Sequence, residues 1–316
     1  MHYILIIIGF ALLIFGANYL VDGAVGIAKR FNVSDLIIGL TIVALGTSAP
    51  ELVINLFAAF DPTTTDIALT NIIGSNQINT FIILGATALV LPVKSQASSR
   101  KFDIPLSLAA PLLLLLPTFF RHEVARMDGI LLLVIFVFFM LAIVRKAITA
   151  RTSHPSEETK NTGKSYKTGI YFLMVIGGLI LLAVGGKLIV NSATVIAESL
   201  GISQAIIGLT IVALGTSLPE LATSVVAAFK KNCDIALGNV IGSNIFNVFF
   251  VLGISATIRP LPVYQNMPVD LAIAALGSLL VLIFVLTNKK YEIKRREGLL
   301  LLCVYCAYMI WMIINM

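Results

Sequence analysis

The sequence predicts an all-α polytopic membrane protein of ten transmembrane helices arranged as two inverted five-helix repeats. Three observations predict it: an apolar composition, a block duplicated at a constant offset, and a lopsided distribution of basic residues. Of the 316 residues, 58% are hydrophobic and 12% charged, against roughly 45–50% and 25% in a soluble globular domain. A soluble fold could not bury that much apolar surface. Apolar runs near or beyond the ~20 residues that cross a bilayer recur along the whole length, and no polar stretch is long enough for a separate soluble domain.

In chain order, the first span is expected at 3–28. It is apolar from Tyr3 and lacks a basic leading region or a small-residue cleavage site, so it reads as a retained span rather than a signal peptide. Spans at 36–60 and 66–92 are apolar runs interrupted by a few polar residues, and those at 103–120 and 128–148 complete the first five. The segment 149–168, rich in Ser, Thr, Glu and Lys, predicts a flexible cytoplasmic linker too short to fold as a regulatory domain. Spans at 169–197, 204–229, 234–257, 267–288 and 298–315 follow. The organisation is therefore a first repeat at 1–148, a linker at 149–168, and a second repeat at 169–316.

Self-comparison supports that division. Ser34 to Glu51 reads SDLIIGLTIVALGTSAPE and Ser203 to Glu220 reads SQAIIGLTIVALGTSLPE, with three differences in eighteen positions. A second block, NIIGSNQIN from Asn71 to Asn79, returns as NVIGSNIFN from Asn239 to Asn247. Two copies of one unit fill the chain. Five spans per copy oblige the second copy to enter the membrane from the other side. The basic residues agree: alternate loops hold eighteen Lys and Arg, and the opposite side holds only Arg121, Arg126, Lys187 and Arg259. The positive-inside rule then places the linker in the cytoplasm and both termini outside. The net charge of +6 thus reads as a topology signal, not as a nucleic-acid surface.

The second and seventh spans carry Gly-Thr-Ser-x-Pro-Glu inside runs of Ile, Leu, Val and Ala. A carboxylate at a helix centre costs about 2.5–3.5 kcal/mol, so Glu51 and Glu220 together cost about 5–7 kcal/mol unless compensated. No intramembrane Lys or Arg is available for both, and a bound cation is the natural counter-charge. Pro50 and Pro219 each remove a backbone donor and are expected to kink or unwind the helix at Gly46 and Gly215. Thr47 and Ser48 share a helical face with Glu51, as Thr216 and Ser217 do with Glu220. Ser75 with Asn79, and Ser243 with Asn247, repeat an i, i+4 spacing.

All these donors are hard oxygens, which suit Ca2+ and, with fewer ligands, Na+. Transition metals are disfavoured, because His2, His122 and His154 fall at termini or loops and Cys233, Cys303 and Cys306 form no metal-ligand pattern. A serine hydrolase is disfavoured because no histidine base shares the depth of Ser48 or Ser217. Packing accounts for Gly46, Gly74, Gly215 and Gly242 at least as well as ligation does. Asp22, Asn191, Asp103 and Asp270 read as boundary residues.

With two copies of G-T-S-x-P-E, each followed by N-x-I-G-S-N-x-x-N, the sequence resembles the cation/Ca2+ exchanger superfamily, specifically its compact prokaryotic Na+/Ca2+ exchangers, over nearly its whole length. The resemblance implies that Glu51 and Glu220 bind Ca2+ with the backbone carbonyls of Thr47 and Thr216. It implies flanking Na+ sites from the carbonyls of Ala44 and Ala213 and the side chains of Ser48, Ser217, Ser75 and Ser243, with Asn79 and Asn247 completing the cluster. It also implies that the first and sixth spans slide across the remaining bundle. Asparagine at 247, where K+-dependent relatives place aspartate, weighs against K+ dependence.

The expected function is Na+/Ca2+ antiport in the cell membrane, with Ca2+ and Na+ as substrates, lipid as the surroundings, and no cofactor, enzymatic activity, nucleic acid or obligatory protein partner. Ca2+/H+ antiport is the nearest alternative, because buried glutamates also carry protons. A cation channel ranks below it for want of a filter-like loop.

Overall fold

The computed structural model describes residues 2–60, 65–153, 166–200 and 213–314. Helix α1 spans His2–Phe31. The second apolar run forms α2 (Asp35–Thr47) and α3 (Ala49–Phe60), bent by 48° at their junction. Helix α4 is continuous from Thr65–Gln77 through a π segment, Ile78–Ile83, into Leu84–Val90. Helices α5 (Ser99–Phe120), α6 (Arg126–Ser153) and α7 (Thr168–Ser199) follow. A short turn, Ala213–Thr216, leads into α8 (Leu218–Phe229). Helix α9 (Cys233–Ile258) contains a second long π segment, Phe246–Leu252, and α10 (Met267–Thr287) and α11 (Arg295–Ile314) close the chain.

Among the described residues, seven helices are long and apolar enough to cross a membrane, or eight if α2 and α3 form one span. The expected span at 204–229 begins outside the described residues. Helix α6 overruns the expected end of its span at 148 and reaches Ser153. Residues 154–165, the middle of the expected linker, lie outside the described set.

Polarity is arranged inside out. Large apolar side chains such as Ile7, Phe15, Phe57, Phe120, Phe138 and Leu173 are exposed, while Glu51, Asn55, Asn79, Glu220, Asn239 and Asn247 are buried. Such a surface matches hydrocarbon rather than water.

Two close approaches position the helices. Helices α1 and α7 run antiparallel, and a Cβ added at Gly16 would stand 2.8 Å from the Gly178 carbonyl oxygen. Helix α9 crosses α2 where a Cβ at Gly238 would stand 2.8 Å from the Leu36 carbonyl oxygen and one at Gly242 2.9 Å from that of Leu40. Only small residues let membrane helices approach so nearly, and the packing reading of Gly242 holds.

Two short antiparallel strand pairs tie the halves together. Strand β1 (Val93–Lys94) pairs with β4 (Glu292–Ile293), and β2 (Glu123–Val124) with β3 (Leu261–Pro262). Each pair joins one loop from each half, and in each case both loops fall on the same side by the count of basic residues. Two-residue strands carry no alternation signal, so the sequence gives no warning of them.

The expected boundary residues divide. Asp22 lies on the surface, 2.6 Å from the Lys230 ammonium, and Asn191 is exposed. Asp103 is instead fully buried and pairs with Lys146 at 3.3 Å. Asp270 accepts hydrogen bonds from the hydroxyls of Tyr264 at 2.6 Å and Tyr308 at 2.5 Å. Burial, followed by the neighbouring Asp270, raises the pKa of the Tyr264 phenol in its loop, so that hydroxyl keeps its proton to donate.

Candidate functional site

The repeated motif builds the same local device twice. Helix α2 ends at Ser48, whose backbone leaves helical geometry at φ −82°, ψ 7°. Ser217 does the same at φ −89°, ψ 2°. Pro50 and Pro219 fall in the first turns of α3 and α8, where a missing N–H breaks no helical bond. The disruption therefore lies at Ser48 and Ser217, two residues beyond the expected Gly46 and Gly215, because proline starts a new helix more readily than it kinks an old one. Glu51 and Glu220 consequently sit in the first turn of fresh helices, where the helix dipole favours a negative charge.

The first half reaches across to the carboxylate of the second. The Ser48 hydroxyl donates to Glu220 Oε1 at 3.1 Å, and the Thr47 hydroxyl reaches Asn239 of the second half at 3.1 Å. Glu51 accepts from the Ser75 hydroxyl of its own half at 3.3 Å. The two motifs thus form one cluster. Both carboxylates are 1% exposed, and no Lys or Arg among the described residues forms a salt bridge with either.

What these buried groups lack is partners. Buried without a hydrogen-bond partner among the described residues are Glu51 Oε2, Glu220 Oε2, Asn79 Oδ1, Asn247 Oδ1, Asn55 Oδ1 and Asn244 Oδ1, together with the hydroxyls of Ser217 and Ser243. A buried acceptor left empty costs about 1–3 kcal/mol, and more if charged. Buried oxygens left without donors, two of them on carboxylates, are the kind of group a dehydrated hard cation can satisfy.

Of the expected site residues, Thr47, Ser48, Glu51, Ser75, Asn79, Ser217, Glu220, Ser243 and Asn247 are all buried. The Ala44 carbonyl accepts from the Ser48 amide at 3.0 Å and stands 3.3 Å from the Thr47 hydroxyl, whose single proton goes either to it or to Asn239 Oδ1 at 3.1 Å. Ala213 opens the turn before Ser217. The two halves are not equivalent: Ser48 and Ser75 are bonded to carboxylates, whereas their copies Ser217 and Ser243 leave their hydroxyls unpartnered among the described residues.

Residue-by-residue reasoning missed Asn239. Its Oδ1 accepts from the Thr47 hydroxyl at 3.1 Å, and its Nδ2 donates to Ser224 Oγ at 2.9 Å and to the Glu220 carbonyl at 3.3 Å, joining α2, α8 and α9. It also missed Asn55, whose Nδ2 donates to the Glu51 carbonyl at 3.0 Å, and the pair Asn76 and Asn244. The signal was available, since Asn71 with Asn239 and Asn76 with Asn244 are asparagine in both copies of the repeat.

The family model described as sodium/calcium exchanger protein matches residues 1–145 and 170–314. Sodium/calcium exchanger MaX1 of Methanosarcina acetivorans is 33% identical over 350 residues, covering 98% of this chain and 97% of that protein. Inner membrane protein YrbG of Escherichia coli strain K12 is 37% identical over 260 residues, covering 81% and 79%. The solved structure of the sodium-calcium exchanger NCX_Mj soaked with 2.5 mM Na+ and 0.1 mM Ca2+ superposes with a TM-score of 0.81 at 32% identity, over 98% of this chain and 97% of that one.

Proposed function

This chain belongs to the sodium/calcium exchanger family, and from the site it carries we propose that it exchanges Na+ for Ca2+ by alternating access at the oxygen cluster between its halves. The observation that carries the proposal is the pair of buried carboxylates, Glu51 and Glu220, each with one oxygen unpartnered among the described residues and joined across the halves through Ser48. One Ca2+ neutralises the two carboxylates. Na+ uses the same oxygens with fewer ligands per ion, so the two ions compete.

In this reading Glu51, Glu220 and the carbonyls of Thr47 and Thr216 hold Ca2+. Ser48, Ser217, Ser75, Ser243 and the carbonyls of Ala44 and Ala213 serve Na+, and Asn79 and Asn247 complete the cluster. The chain crosses the membrane ten times as two inverted units, 1–148 and 169–316, joined by a cytoplasmic linker and with both termini outside. Near-identical motifs in unlike hydrogen-bonding states support a mechanism in which the halves exchange conformations. The closely packed α1 and α7 then slide as a pair. An empty cage leaves two buried carboxylates unpaired, which disfavours occlusion without cargo and so limits leak.

The test is 45Ca2+ uptake into proteoliposomes loaded with Na+, against equimolar K+ or choline, with a pH gradient imposed separately. Uptake that requires internal Na+ is the expected result. Uptake driven by the pH gradient without Na+ would replace the proposal with Ca2+/H+ antiport.

A further inference from the structure

Behind the cluster, three asparagines of α4 and α9 form a chain of hydrogen bonds with a defined direction. Asn76 Nδ2 donates to the backbone carbonyl of Asn244 at 3.1 Å. Asn76 Oδ1 accepts from Asn247 Nδ2 at 3.0 Å. Asn247 Oδ1 is buried and has no partner among the described residues. Asn76 is 7% exposed, Asn244 2% and Asn247 0%, so water has little access to substitute for any link.

A carboxamide can rotate by half a turn and exchange its oxygen and nitrogen at almost no steric cost, so its orientation is set by its partners. Here the first partner decides everything downstream. A backbone carbonyl only accepts, so Asn76 must turn its NH2 toward Asn244. Its oxygen must then face Asn247, which answers with its own NH2, leaving the Asn247 oxygen as the group that points away from Asn76. The Asn244 carbonyl is available for this because it lies where α9 passes from α-helical to π-helical bonding, Ile245 being the last α residue and Phe246 the first π residue.

We propose that Asn76 is a positioning residue that fixes the Asn247 amide with its oxygen, not its nitrogen, turned into the cation cluster. The inference rests on the reading of Asn247 as a cation ligand. Without Asn76, the Asn247 NH2 loses its acceptor, and in the proposed ligand arrangement the carboxylates of Glu51 and Glu220 are the acceptors it turns to. A hydrogen bond to a charged acceptor is stronger than one between neutral groups, so it holds the amide in the reversed orientation. Cation binding then has to undo that bond, and apparent affinity falls with the fraction of correctly oriented protein.

The experiment is a double-mutant cycle on the full chain, with Ca2+ affinity measured by 45Ca2+ binding and folding followed by thermal melting. Leucine at position 76 is nearly isosteric with asparagine and removes both hydrogen bonds. Asn76→Leu should weaken Ca2+ binding about tenfold or more when position 247 is asparagine. In the Asn247→Asp background one carboxylate oxygen faces the cluster whichever way the group turns, while the other opposes Asn76 Oδ1, so Asn76→Leu should not weaken Ca2+ binding. An equal loss in both backgrounds would mean that Asn76 acts through packing, and would overturn the proposal. If the leucine variant does not fold, Asn76→Ala carries the same cycle. Asn247→Ala separates the two levels of the argument, because undiminished Ca2+ binding in that variant would remove Asn247 from the ligand set itself, and the relay with it.

Discussion

Replacing Glu51 by glutamine keeps the shape of the side chain and removes one of two negative charges from a cluster that no Lys or Arg among the described residues neutralises. Glu51 is 1% exposed, one of its oxygens accepts from Ser75 and the other has no partner among the described residues, so water cannot take over the lost interaction. Breaking a buried charge pair by removing one partner costs about 3–5 kcal/mol, which corresponds to a roughly 150- to 5,000-fold loss of Ca2+ affinity. A monovalent ion feels half the Coulomb energy of a divalent one at the same place. Na+ binding should therefore weaken by only about 1.5–2.5 kcal/mol, or roughly 10- to 70-fold. The signature of E51Q is accordingly a change in selectivity of at least about tenfold toward Na+, on top of a loss of both ions. It is read by 45Ca2+ binding to purified protein with Na+ as competitor. Glu220→Gln should give the same signature, since the motifs cross over. Ca2+ affinity within about threefold of wild type in E51Q, or equal weakening of the two ions, would refute the reasoning.

Ser48→Ala and Ser75→Ala each remove a hydroxyl that bonds a carboxylate and, in the proposed scheme, contacts Na+. At about 1.5–3 kcal/mol per charge-assisted bond, each should raise the Na+ concentration for half-maximal exchange roughly tenfold or more while Ca2+ still binds, as measured by Na+-dependent flux. Gly238→Ala places a Cβ 2.8 Å from the Leu36 carbonyl oxygen; overpacking of this kind costs about 1–3 kcal/mol, so the variant should melt at a lower temperature in detergent than wild type. Lys146→Ala strands the buried Asp103 carboxylate, and Asp103→Asn in the same chain should restore part of the lost thermal stability. Lys230→Ala breaks an ion pair with the exposed Asp22 and should shift stability by no more than about 1 kcal/mol.

Much of the helix layout was legible in the sequence, because a span is a matter of length and hydropathy and both are explicit. The carboxylates at 51 and 220 were legible for the opposite reason, as polar groups whose cost in an apolar run demands compensation. The position of the break was less so. Pro50 announced a disruption, but whether the helix bends before it or restarts around it depends on capping geometry that composition does not encode. Asp103 stands at a span end, as a boundary residue would, but its burial against Lys146, 43 positions away, is visible only in the folded bundle. Asn239 and Asn76 were visible as repeated letters, yet their partners Thr47, Ser224, Glu220 and Asn247 come from other helices. A single helical periodicity registers a face; it does not register what that face meets.

The central claim is that oxygens from both halves form one site that Ca2+ and Na+ share. Its most direct test is equilibrium 45Ca2+ binding to the purified protein at rising Na+, with K+ or choline holding ionic strength constant. The account predicts that Na+ displaces bound Ca2+ completely, with a cooperative dependence on Na+ concentration, whereas K+ and choline do not. Ca2+ binding that is insensitive to Na+ would contradict it.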